Sequence, residues 1–260
     1  MPRFAANLTM LFTELPFMAR FEAAARAGFR AVEFLFPYEF TAEDIARELR
    51  RHNLAVSLFN LRPGDYAAGE RGLAALPGRE AEFAESVELA LEYARTLGCQ
   101  KVHAMSGLVP AGQAREECAE VWLANMRAAA DRLAPSGITL LAEALNPRDV
   151  PGYFLLSQRE CARLVRLAAR PNFRLQFDVY HAQITDGDLT ALLRSLADCL
   201  GHVQIAAVPS RHEPDEGEVN YCHIFQLLDD LGYPGWIGCE YRPRAATEAG
   251  LGWLKILGNS

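Results

Sequence analysis

ITLLAEALNPRDVPGYFLLSQRECARLVRLAARPNFRLQFDVY, residues 138–180, is the stretch that decides the fold. It opens on a short apolar run, ITLLAEAL (138–145), and closes on another, FRLQFDVY (173–180). Runs of this length bounded by turn residues predict buried strands. Between them SQRECARLVRLAA predicts an amphipathic helix, with Ser157 as N-cap and Glu160 placed for a capping box. Strand, helix, strand in this order is the unit that makes a parallel pair, because a parallel neighbour needs a long crossover to bring the chain back to its starting edge.

The unit recurs in both directions. FAANLTM (4–10), RAVEFLF (30–36), LAVSLFN (54–60), KVHAMSG (101–107), HVQIAAV (202–208) and WIGCEY (236–241) are further strand-like runs, each followed by a helix-like segment. Thr41 with Asp44 repeats the capping signal, and Gly28, Gly98 and Gly232 stand where helices should end. Eight such units without a break predict a (β/α)₈ TIM barrel, a single domain over residues 1–260. A doubly wound open sheet would carry a glycine-rich turn after its first strand, and NLTMLFTELP contains no glycine.

With 260 residues, half of them hydrophobic, the chain can bury the core such a barrel needs. A formal net charge of −7 argues against a surface built for a nucleic-acid backbone or anionic lipid. No stretch has the apolar length of a membrane span, and MPRFAANLTMLFTELPF is a poor signal peptide. The 6 cysteines are scattered without a CxxC pair, as expected of reduced packing residues in a cytoplasmic chain. Lys101 and Lys255 are the only lysines, and neither is placed as an imine-forming nucleophile at a strand's C-terminal end.

In a barrel, functional side chains leave the C-terminal ends of strands, so late-strand polar residues among apolar neighbours carry the signal. The last four strands each supply one: Glu143 in LLAEALN, Asp178 in LQFDVYH, Gln204 in HVQIAA and Glu240 in IGCEYRP. Each alone reads equally well as a structural acid or amide held by its own partners. Together, three carboxylates and a neutral oxygen make a hard site suited to Mg²⁺ or Mn²⁺ and compatible with zinc or cobalt. A divalent cation would also relieve the repulsion among the acids.

His181, three residues after Asp178 where the strand should give way to a loop, is a candidate substrate contact. Arg211 and Arg71, in the long loops after strands seven and three, are candidate clamps for an anionic substrate. His202 and His103 read as packing histidines, and the acidic run from His212 to Glu218 as a solvated loop.

At these residues the chain resembles the hydroxypyruvate isomerase family, including 2-oxo-tetronate isomerases, within the xylose-isomerase-like barrels. GFRAVEFLFPY, PGDYAAGERGLAALPGRE, NPRDVPGYFL, LQFDVYHAQ, GHVQIA, EGEVNY and GCEYRP carry the resemblance, which runs nearly end to end. Ala142 and Ala144–Leu145 depart from the Ile and Pro-Ile more often found around the first glutamate.

The resemblance implies Glu143, Asp178, Gln204 and Glu240 as divalent-metal ligands, Glu143 and Glu240 as the acid/base pair, and His181 and Arg211 as substrate contacts. It implies an isomerase of a small hydroxy or oxo acid, interconverting hydroxypyruvate and tartronate semialdehyde or the analogous 2-oxo-tetronate pair. The alternatives are a polyol epimerase or dehydratase of the same superfamily and a non-catalytic sugar-acid-binding barrel. A DNA-repair nuclease would need a histidine-rich zinc cluster and a basic face. Neither nucleic acid nor membrane is an expected partner, and no residue pattern sets a subunit number.

Overall fold

Eight parallel strands close on themselves in chain order: β1 (Arg3–Asn7), β2 (Ala31–Phe34), β3 (Ala55–Asn60), β4 (Lys101–His103), β5 (Thr139–Glu143), β6 (Phe173–Asp178), β7 (Leu200–Ile205) and β8 (Trp236–Cys239). The last strand pairs back to the first, with Ala5 opposite Gly238. This computed structural model describes residues 2–257, so the predicted bounds of 1–260 extend beyond it by Met1 and residues 258–260. Every predicted strand is present. Most end earlier than the apolar runs that announced them, because residues such as Ala104, Ala144 and Ala206 are buried in the loops that leave the barrel mouth.

Local capping sets the helices as read. Thr41 accepts the N–H of Asp44 at the start of Ala42–His52, and Ser157 accepts that of Glu160 at the start of Gln158–Ala168. Gly98 closes Glu80–Leu97 in the left-handed region. The helix Arg115–Leu133 buries Trp122, whose Nε1–H donates to Ser106 Oγ just beyond β4. Among the described residues no helix is long and apolar enough to cross a membrane.

Period-two alternation divides the barrel wall into an outer apolar face and an inner polar one. In β7, Val203 and Ile205 join the hydrophobic core while His202 and Gln204 face inward to Glu33 on β2. In β4, Lys101 and His103 share the inward face at different depths. Lys101 lies toward the N-terminal end, where its ammonium donates to the carbonyl of Gly201 at 2.7 Å, far from any strand's C-terminal end.

Two loops differ from their sequence reading, and both differences bear on the mouth. The loop after β3 is folded onto β4: Gly72 bridges Ser106, and its φ of +117° together with an added Cβ only 2.1 Å from the Met105 carbonyl leaves room for glycine alone. Glu70 in this loop is held by Arg79 at 2.7 Å. In the acidic loop after β7, Glu213 is fully buried and receives Arg244 at 3.0 Å, so this part of the run anchors the loop rather than facing solvent.

Candidate active site

Strand register gathers the polar side chains into two layers. Glu143 pairs with Gln176, Asp178 with Gln204, and Asn7 with Glu33. A cavity of about 320 Å³ opens above them at the C-terminal mouth, at the small end of the range for small-molecule sites. Glu143, Gln176, His103, His181, Glu240 and Arg211 line it below, while Arg71 and Arg242 stand among its other walls. Asp178 and Gln204 are buried beneath these linings.

Glu143 ends β5. Its Oε2 accepts from Gln176 Nε2 at 3.0 Å, and its Oε1 is buried without a hydrogen-bond partner. Asp178 ends β6 and doubles as the N-cap of the next helix, its Oδ1 accepting the Tyr180 N–H at 2.8 Å; its Oδ2 is likewise buried and unpartnered. Glu240, one residue past β8, accepts from Arg211 at 2.9 Å and from Asn7 at 3.2 Å. Gln204 donates to Glu33 at 2.8 Å and accepts from Gln176 at 2.7 Å.

Burial dominates the electrostatics of all three acids and raises each carboxyl above its ordinary range. For Glu143, Glu240 and Asp178 add repulsion to that desolvation. Asp178 is pushed up to about 6 although Arg211 and the Tyr180 N–H pull it down, and Glu240 up to about 8 against the same arginine. Arg211 Nη2 reaches Glu240 at 2.9 Å and Asp178 at 3.9 Å, and its Nη1 reaches Asp149 at 3.1 Å.

The residues fit a divalent cation. Unpartnered buried carboxylate oxygens on Glu143 and Asp178 are what a hard cation would satisfy. The mutual repulsion that helps raise these carboxyls is what a cation would relieve. Glu143, Asp178 and His181 bring potential ligand atoms within 4.8 Å of one another. His181, however, accepts the Asn146 backbone N–H at Nδ1 (3.0 Å), so its Nε2 carries the proton and faces Asp178 Oδ2 at 3.6 Å as a donor. Burial, and then Arg211, hold this imidazole well below its ordinary pKa, which keeps it neutral.

Several sequence readings change. His181 sits in the helix Val179–Thr185 and not in a loop. His103, read as a packing histidine, is buried but also lines the cavity, 3.9 Å from Glu143 Oε2; burial drives its pKa down to about 3. Glu33, Gln176 and Asn7 were missed. Glu33 stands as a lone acid inside RAVEFLF, a signal of the same kind as the late-strand acids but on β2, outside the series formed by the last four strands. Gln176 and Asn7 carry no charge, and only the register places them beside the acids.

A closed parallel barrel with acids, an amide and a histidine at its C-terminal mouth is the architecture of the xylose isomerase-like TIM barrels. The model of that family matches residues 21–257, and the chain belongs to it. Over 255 residues, 98% of each chain, it is 53% identical to the 2-oxo-tetronate isomerase of Cupriavidus necator. It is 45% identical over 254 residues, again 98% of each, to the hydroxypyruvate isomerase of Escherichia coli. Among solved structures it is similar to an AP endonuclease, family 2, from Brucella melitensis, with a TM-score of 0.97 and 57% identity over 98% of this chain and 99% of that one. With full-length relatives of this identity named isomerases, the chain is an enzyme of the isomerase class.

Proposed function

We propose that this enzyme moves a carbonyl by one carbon along a short sugar acid, interconverting 2-oxo-tetronate with its 3-oxo isomer, and that hydroxypyruvate and tartronate semialdehyde are the three-carbon version of the same pair. The observation that carries the reading is the polarity of the cavity. Its floor holds Glu143 and Glu240, two carboxyls raised above their ordinary range by burial, and its wall holds Arg71, a guanidinium without a carboxylate partner among the described residues. Arg71 lies over the Tyr66 ring at 4.0 Å and donates from Nη1 to the backbone carbonyls of Tyr66 and Glu70. Those contacts fix its plane and leave Nη2 and Nε to bind a substrate carboxylate.

Arg211, the other candidate clamp, already faces Glu240, Asp149 and Asp178. We therefore assign the carboxylate to Arg71, and to Arg211 the holding of Glu240 at the cavity beside the substrate. The two isomers share an enediol, so the reaction needs no external oxidant. One proton leaves the carbinol carbon and one returns to the neighbouring carbon. Glu143 and Glu240 are the groups we assign to these transfers, their raised pKa values suiting exchange near neutrality. The His181 Nε2–H would donate to a substrate oxygen. A divalent cation held by Glu143, Asp178, Gln204 and Glu240, Mg²⁺ or Mn²⁺ from the hard donor set, supplies Lewis-acid stabilisation of the negative charge that develops on the substrate oxygens.

Proton NMR in deuterated water tests the reading with 2-oxo-tetronate, hydroxypyruvate and free ketoses, each with and without chelator. The expected result is deuterium incorporation with carbonyl migration for the acids, lost with chelator. Turnover of neutral ketoses at the same efficiency would favour an epimerase, and tight binding without exchange a non-catalytic barrel.

The raised carboxyls also set a pH dependence. Folding lifts Asp178 from 3.8 to about 6 and Glu240 from 4.5 to about 8, so between these limits the folded chain binds more protons than the unfolded one. Stability of the metal-free protein therefore falls as pH rises from about 5 to about 8. Mn²⁺ must displace the same protons, so its affinity should climb over that window. Calorimetric titrations in buffers of differing ionisation enthalpy should register proton release at pH 6.5; heats independent of buffer would contradict it. The 6 cysteines are free, 5 of them buried, which supports a reducing, cytoplasmic setting.

A further inference from the structure

Beneath the cavity, Glu33 is a fully buried carboxylate that touches no part of the cavity wall. It accepts from four side chains on three other strands: Asn7 Nδ2 at 3.1 Å, Gln204 Nε2 at 2.8 Å, His202 Nε2 at 2.8 Å and Ser57 Oγ at 3.3 Å. Its carboxylate lies flat on β8. An added Cβ on Gly238 would fall 2.2 Å from Oε1 and 2.4 Å from Oε2, so the glycine makes the space that Glu33 fills.

Glu33 Oε1 accepts from the NH₂ of both Asn7 and Gln204, so the amide end that faces Glu33 is the NH₂. The end of Gln204 that points away from Glu33 is its carbonyl oxygen, which turns toward Gln176 and Glu143 and keeps a second lone pair beyond the one Gln176 uses. The same oxygen of Glu33 also gathers Asn7 Nδ2, and both Asn7 and Gln204 extend on to Glu240 Oε1, at 3.2 and 3.4 Å.

We propose that Glu33 is a positioning residue that orients the Gln204 amide so that its NH₂ is engaged by Glu33 and Glu240 and its oxygen faces the Gln176 and Glu143 side of the site. Gly238 is its structural counterpart, keeping β8 clear of the carboxylate. The inference rests on the proposed metal site only for its consequence. The orientation itself is a property of the side chains and is measurable without metal.

An amide at position 33 offers one acceptor oxygen and two N–H groups to four donors. Where the new NH₂ stands at the position of Oε1, which now accepts from Asn7 and Gln204, Gln204 must turn its oxygen to it and its own NH₂ toward Gln176 and Glu143. In Glu33→Gln, Mn²⁺ affinity, read by electron paramagnetic resonance on the full chain, should fall about 10- to 100-fold, as when a partner that orients a ligand is lost. Gly238→Ala, which crowds the carboxylate from β8, should move affinity the same way. The double variant Glu33→Gln/Gln204→Glu restores an acid facing an amide and leaves an oxygen toward the site, so it should recover most of the loss. A general defect in folding would not be repaired by a second change in the same cluster.

The amide itself supplies the second readout. The Gln204 side-chain NH₂ resonances, identified by their disappearance in Gln204→Leu, should be protected from solvent exchange in the parent chain and lose that protection or shift in Glu33→Gln. Unchanged Gln204 resonances, or Mn²⁺ affinity within about threefold of the parent, or a double variant no better than Glu33→Gln, would overturn the role of Glu33. A parent chain that binds no Mn²⁺ would instead remove the metal reading, and the Gln204 resonances would still decide the orientation.

Discussion

Glu143→Gln is expected to lower the turnover of 2-oxo-tetronate by about 10³-fold or more, while raising the melting temperature of the metal-free protein. The two effects have one cause. Glu143 ends β5 inside a wall of other acids, where desolvation and then Glu240 and Asp178 raise its pKa. The folded state therefore either carries a poorly solvated negative charge or holds a proton that the unfolded chain would release. Glutamine removes that liability and keeps the bond with Gln176, since its oxygen can still accept from Nε2. Each kcal/mol so recovered should raise the midpoint by about 2–4 °C in a chain of this size. What is lost is the carboxylate that the proposed reaction needs as its acid/base group. Stopped-flow or NMR turnover with a thermal melt at pH 7.5 checks both. Near-parental turnover would remove Glu143 from the acid/base pair, and a lower melting temperature would show that its charge is held by contacts that offset its burial.

Arg71→Met should raise KM for the acid substrates about 10- to 100-fold, the usual worth of charge-assisted hydrogen bonds to a carboxylate. Met keeps an unbranched apolar stem of similar reach and removes the guanidinium that lies over Tyr66. Because Arg71 has no acidic partner among the described residues, its removal leaves none of their carboxylates unpaired, and the fold should be little affected. Arg211→Met provides the contrast. It strips the counter-charge from Glu240 and Asp149, so it should lower stability and kcat together. If Arg71→Met left KM unchanged and Arg211→Met raised KM alone, the carboxylate would belong to Arg211.

Stability and chemistry pull the mouth in opposite directions. The floor retains unpartnered oxygens on Glu143 and Asp178, which cost stability in a buried setting. One layer down, Glu33 meets four donors. Unpartnered oxygens on Glu143 and Asp178 thus stand directly above a carboxylate whose own oxygens are well supplied with donors.

Periodicity and capping alone determined the barrel. A run such as FRLQFDVY must be a buried strand and SQRECARLVRLAA a helix packed on it, because local patterning and end signals admit little else, and eight such units have one common closure. Acids within apolar runs likewise exposed Glu143, Asp178 and Glu240, and the matching late-strand position added Gln204 to them. Tertiary structure decided what those residues face. Neutral Gln176 and Asn7 give no signal in an apolar strand, and Glu33, 171 positions from Gln204, becomes its partner only when β2 and β7 meet across the barrel. The two arginines are alike as residues in turn-rich loops. Only the closed mouth gives Arg211 to the acids and leaves Arg71 free, because ion pairing depends on distances through space that chain separation does not encode.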